Sequence, residues 1–205
     1  MIIALAALLA FTAAAPVVAA EATPGPLTRQ QLLPLADHVA VFPEMRDPFR
    51  IVLRSPVFAP RGCEDQGMAV RGNSRIQGSV STEGRRRSVS LIDQFVVRFD
   101  SVKQARALVQ RYRHFSKRCV GNVRTDDGEG SAVTLKNRAW LPPRVGDESA
   151  GMLIGWFSGR SVDWRRVLVT RIDRTVSVLD VSFADLRPPR ARVVALGELA
   201  VDRLG

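Results

Sequence analysis

The sequence predicts an α+β fold, a single domain of mostly antiparallel sheet with helices packed on it. Three observations carry that expectation. Residues 76–99 and 162–183 show two-residue alternation broken by turn chemistry, the pattern of hairpins. Residues 101–119 carry apolar side chains at helical spacing. The segments run helix, two strands, helix, about four strands, helix, and helices and strands do not alternate as they do around a parallel sheet.

The elements are justified in order. The first twenty residues, MIIALAALLAFTAAAPVVAA, hold no charge and end in small residues, with Val18 and Ala20 placed for signal peptidase ahead of Glu21. They read as a secretory signal without the usual positive start, with a retained N-terminal anchor as the alternative. Pro16 and the small residues favour cleavage over a stable span. EATPGP, residues 21–26, reads as a short tether, and the domain itself as residues 27–205.

LTRQQLLPLADHVAVF (27–42) reads as a short helix capped by Thr28 with Gln31, shortened or kinked by Pro34. The Pro- and Arg-rich stretch 43–62 reads as an irregular connector. Ile76, Gly78, Val80 and Thr82 alternate with polar residues, the turn EGRRR (83–87) follows, and Val89, Leu91, Phe95, Val97 and Phe99 line one strand face interrupted by Asp93. Ser101 and Gln104 open the clearest helix as a capping box. Val102, Ala105, Leu108, Val109, Tyr112 and Phe115 form its buried stripe, and Cys119 ends it. Gly121 and Asn122 release the chain. SAVTLKN, GMLIGWF and the pair VDWRRVLVTRI and TVSVLDVSF read as strands, and DDGEG, PPRVGDES and SGRS as turns or loops. RPPRARVVALGELAVDRLG closes as a helix with proline at its first turn and Val193, Leu196, Ala200 and Leu204 as its apolar stripe.

The chain has 205 residues and a net charge of +10, nearly all of the positive charge from arginine. The arginines are scattered, with one run at Arg85–Arg87, so a solvated basic surface explains them without a specific nucleic-acid partner. Attraction to anionic polymer or lipid remains as a second reading. Two cysteines, Cys63 and Cys119, are an even count in an exported chain and point to one bridge, against separate thiols or an intermolecular bond. No apolar run after the signal is long enough for a transmembrane helix.

Catalytic chemistry is hard to find. The two histidines, His38 and His114, read as surface or helix-terminal groups, and no G-x-S-x-G element is present. No spacing suggests zinc, and TDDGEG lacks a calcium-loop pattern. No cofactor pattern stands in the sequence, so neither catalytic nor metal residues are assigned and the ligand-binding residues stay unknown. Asp93 within an apolar strand face calls for an arginine across the sheet, or a place in a cleft. A hydrolase would need Asp93 to meet a second carboxylate such as Asp180. Trp140, Trp156 and Trp164 are expected as core, with a cluster as the alternative.

Taken together, LLPLADHV, the GC at 62–63, the strand ending QFVVRF, the helix running from DSVKQARALV to HFSKRC, and the closing LGELAVDRL resemble the PknH-like extracellular sensor domains of actinobacteria. The resemblance spans residues 27–205. It implies an exported, non-enzymatic sensor-like domain of the cell envelope. Such a domain would hold a small molecule or envelope component in a cleft between sheet and helices and report through a signalling partner. The receptor kinase's own sensor domain carries two disulfides, whereas this chain can form one within itself.

Overall fold

The computed structural model describes residues 25–53, 57–60, 63, 67–70, 72–82, 88–126, 130–159 and 161–204. The expected signal segment, most of the tether, the arginine run at 85–87 and the centre of the DDGEG turn lie outside them.

Ten strands and three helices are described. The strands are β1 (Phe49–Leu53), β2 (Val57–Pro60), β3 (Gly67–Val70), β4 (Ser74–Ser81), β5 (Val89–Arg98), β6 (Gly121–Asp126), β7 (Ala132–Trp140), β8 (Glu148–Ser158), β9 (Ser161–Ile172) and β10 (Thr175–Ala184). The helices are α1 (Leu35–Val41), α2 (Val102–Arg118) and α3 (Arg190–Asp202). Eight strands form one antiparallel sheet in the order β1-β4-β5-β10-β9-β8-β7-β6, and β2 pairs with β3 in a separate ribbon. The α+β expectation holds.

Helix α2 lies across one face. Its stripe Ala105, Leu108, Val109, Tyr112 and Phe115 packs with Val133, Leu135, Met152, Ile154, Val167, Val169, Val176 and Val178. Helices α1 and α3 cover the other face, where Leu33, Phe42, Val193, Leu196 and Ala200 meet Ile92, Leu168, Leu179, Val181 and Phe183. With both faces covered, the middle strands are buried along most of their length.

Several elements differ from the sequence reading. Pro34 splits the first helix: Arg29–Gln31 is one 3₁₀ turn closed by the Thr28–Gln31 capping box, and α1 begins after the proline. The supposed connector holds β1 and β2. Strand β6 occupies the stretch after Gly121, so five strands follow α2 instead of about four. Strand β5 buries both faces: away from α2, Ile92 enters the α1–α3 core, Gln94 bonds the chain at Gln31 and Leu33, and Val96 packs with Leu27 and Leu32. A register shift between Ser182 and Phe183 lets Val89 join Ile92 in that second core and leave the face predicted for it. At α2, Ser101 accepts from the Gln104 N–H as expected, but the Gln104 side chain accepts from the N–H of Asp100, one residue before the cap.

Cys63 and Cys119 are joined by a disulfide. Cys119 caps α2, its N–H donating to the Phe115 carbonyl, and Asn137 of β7 donates to the Cys63 carbonyl at 3.4 Å. The bridge therefore fastens the end of the α2 stripe to the segment between β2 and β3.

Candidate functional site

Strand register lays out a polar patch on the α2 side of the sheet. One row across the strands reads Ile51, Ser79, Asp93, Asp180, Val167 and Met152. The row on one side reads Phe49, Ser81, Leu91 and Ser182, with Arg165 beyond. On the other side lie Leu53, Gln77, Phe95 and Val178. Directly opposed residues on one face have Cβ atoms about 5 Å apart, so Asp93 and Asp180 are neighbours.

The two carboxylates have different surroundings. Asp180 is buried and held by Arg165 through both oxygens, Nε at 3.3 Å from Oδ1 and Nη2 on Oδ2. Asp93 takes neutral donors, Ser79 and the Gln77 amide, the latter at 3.5 Å. Burial pushes the Asp93 carboxyl above its ordinary value. The Ser79 bond pulls it down, Asp180 adds to the rise, and Gln77 and Arg165 subtract from it. The expectation that Asp93 would pair with an arginine across the sheet is thus corrected: Arg165 goes to Asp180, and Asp93 keeps a hydrogen-bonded carboxyl beside it. The sequence did place Asp93 and Asp180 in one hypothesis, and the fold brings them together.

Beside this patch the edge strand is apolar and open. Phe49, Ile51 and Leu53 are 55%, 47% and 43% exposed and all lie on the α2 side. Polar floor and apolar rim are one strand apart.

The histidines stand elsewhere. His38 stands in the last turn of α1, helix-terminal as one of the two expectations had it, but it is buried and not on the surface; its Nδ1 pairs with the Pro34 carbonyl at 2.9 Å. Burial lowers its pKa, against the raising effect of that bond. His114 is exposed on α2 beside Arg118. The tryptophans do not cluster: Trp156 packs in the α2-side core, whereas Trp140 and Trp164 belong to the α3 side. A concavity of about 420 Å³ lies at the far end of β5 among Gly25, Pro26, Asn73, Ser74, Arg98, Phe99, Asp100 and Arg174. Its polar groups satisfy one another: Arg98 donates to Gly25 and Thr175, Asn73 to Asp100, and Arg174 pairs with Asp173. Among the described residues no group of three or more His, Cys, Asp or Glu could hold a metal ion, and no helix is long and apolar enough to cross a membrane.

Comparison with known proteins adds the family. The model of the PknH-like extracellular domain matches residues 61–196. The chain belongs to that family. A solved relative in fold is the extracellular domain of PknH from Mycobacterium tuberculosis, with TM-score 0.64 at 12% identity, covering 88% of this chain and 97% of that one. The comparison with curated proteins finds no match. Membership in the PknH-like family makes this an extracellular, sensor-like domain. At 12% identity the solved structure speaks for the fold and not for the patch residues.

Proposed function

We propose that this PknH-like domain is a secreted, non-enzymatic receptor for a small amphiphilic molecule of the cell envelope, bound on the α2-side sheet face and reported through a protein partner. In this reading residues 1–20 are a signal, residues 21–26 a tether, and the domain runs over 27–205. The carrying observation is the contiguity of Phe49, Ile51 and Leu53 with the Asp93–Asp180 pair. The apolar part of the ligand covers the β1 side chains. Its polar group hydrogen-bonds Asp93, the carboxyl not already held by an arginine.

The same opposed carboxylates favour one second reading, a hydrolase. Against it, Arg165 occupies both Asp180 oxygens, and neither His38 nor His114 lies at the pair. Native mass spectrometry of the protein secreted by its own host tests the binding reading. The expected result is an added mass that leaves on denaturation and is lost in Ile51→Asp. A bare mature chain from the wild type would refute it.

A further inference from the structure

The second region is at the start of α3, on the opposite face. Strand β8 carries Gly151 and Gly155 on this side. A Cβ on Gly151 would stand 2.6 Å from the Trp140 ring, and one on Gly155 would stand 2.9 Å from the Trp164 ring. The two glycines therefore seat the two indoles. Each indole carries an arginine: Arg166 lies 4.7 Å over Trp140, and Arg187 lies 4.6 Å over Trp164.

Arg166 is 3% exposed. Its Nε donates to the Pro188 carbonyl at 2.8 Å, at the entry to α3. Its Nη1 is buried without a hydrogen-bond partner. Stacking on Trp140 engages the face of the guanidinium and makes no use of the in-plane Nη1 N–H groups. No carboxylate among the described residues pairs with it, and burial together with Arg190 and Arg187 lowers its pKa to about 10. A buried cation set among cations is an arrangement that an anion would complete.

The helix terminus has the same character. Helix α3 is 13 residues long, its Pro189 cap offers no side-chain acceptor, and its first turn holds no acidic residue. Its leading N–H groups and its dipole face the same segment. Glu44 reaches this turn, but both its oxygens are taken by Arg192 at 2.8 and 2.9 Å. Arg187 and Arg190 are exposed at the mouth.

We infer that Arg166, Arg187, Arg190 and the N-terminus of α3 form a binding site for a phosphate group, either free or carried on a lipid headgroup. A tetrahedral oxyanion accepts from the helix N–H groups on one side and from the arginines on the other. The site is distinct from the carboxylate patch, which lies on the other face of the sheet.

The test is a titration of the full-length mature protein with inorganic phosphate at constant ionic strength, chloride being the reference salt, read by calorimetry and by thermal stabilisation. The expected result is saturable binding in excess of chloride, weakened about tenfold by Arg187→Gln and by Arg190→Gln. Both side chains are exposed, so both variants should fold. Arg111→Gln, on exposed α2 surface, should leave binding unchanged. Co-sedimentation with vesicles of phosphatidylcholine, with and without one-fifth phosphatidic acid, then tells the sources apart. Capture only by the acidic vesicles, reversed by free phosphate, assigns a headgroup. Phosphate binding without vesicle capture assigns a soluble phosphate. Absence of saturable phosphate binding, or equal loss in Arg111→Gln, would overturn the site and leave general attraction to a basic surface.

Discussion

Removing the Cys63–Cys119 bridge gives the most direct test of how this domain is held together. The bonded residues are separated by 56 positions. The chain-entropy expression for a loop of that length gives about 14 cal/mol/K, and so about 4 kcal/mol near room temperature. Cys119 is also 7% exposed in the α2-side core, so truncating it to alanine adds roughly 1 kcal/mol of packing loss. Reduced wild type isolates the first contribution, because it keeps both sulfur atoms. Urea unfolding followed by circular dichroism should therefore rank oxidised wild type first, reduced wild type about 4 kcal/mol lower, and the Cys63→Ala/Cys119→Ala double variant slightly below that. The loss should fall first on the α2 C-terminus, where amide exchange at Cys119 would accelerate. A reduced protein within about 1 kcal/mol of the oxidised one would refute the loop argument.

Other expectations follow from single contacts. Gly151→Ala places a methyl against the Trp140 ring and should cost about 1–3 kcal/mol, visible as a lower urea midpoint. Asp93 has a raised folded pKa, so its contribution to stability is lost as pH rises from its unfolded value near 3.8 through the folded one. Asp93→Asn should remove that part of the slope, and an unchanged stability–pH curve would contradict it. His38 works in the opposite sense. Its folded pKa is depressed by burial, so its contribution is present above about 6.5 and lost as pH falls below that. His38→Gln should flatten the decline below about pH 6.5, checked by unfolding at half-unit pH intervals.

What the sequence disclosed depended on how local the cause was. The α2 stripe, its Ser101 cap and the hairpins β4–β5 and β9–β10 were legible because spacing and turn residues within about twenty positions determine them. Strand β1 was not. Its apolar Phe49, Ile51 and Leu53 face outward on a sheet edge, so no buried alternation marks it, and the prolines around it suggest a loop. Strand β6 likewise buries no residue. His38 was read correctly near a helix end, but its burial was missed, because burial is set by tertiary packing that no local pattern shows. Asp93 drew attention as a charge in an apolar face, yet its neighbours are fixed by the pairing of β5 with β10, which no local pattern announces. Arg166 was hidden for a related reason. In VDWRRVLV the two arginines fall on opposite faces, and only the covering by α3 shows which of them is buried. The absence of any acid from RPPRAR was visible but carried no meaning until Arg166 stood behind it.

The position of β10 in the sheet has a consequence for how the chain reaches this state. Strands β6 to β10 follow one another in space as in sequence, so that half can zip together through short turns. Strands β1, β4 and β5 make a second small sheet, and β5 must wait beside an empty edge until β10 arrives. A domain whose second-to-last element is its central strand cannot complete a core from its N-terminal half alone. Until β10 is made, the N-terminal half keeps an unpaired sheet edge, which makes early folding the step most exposed to aggregation.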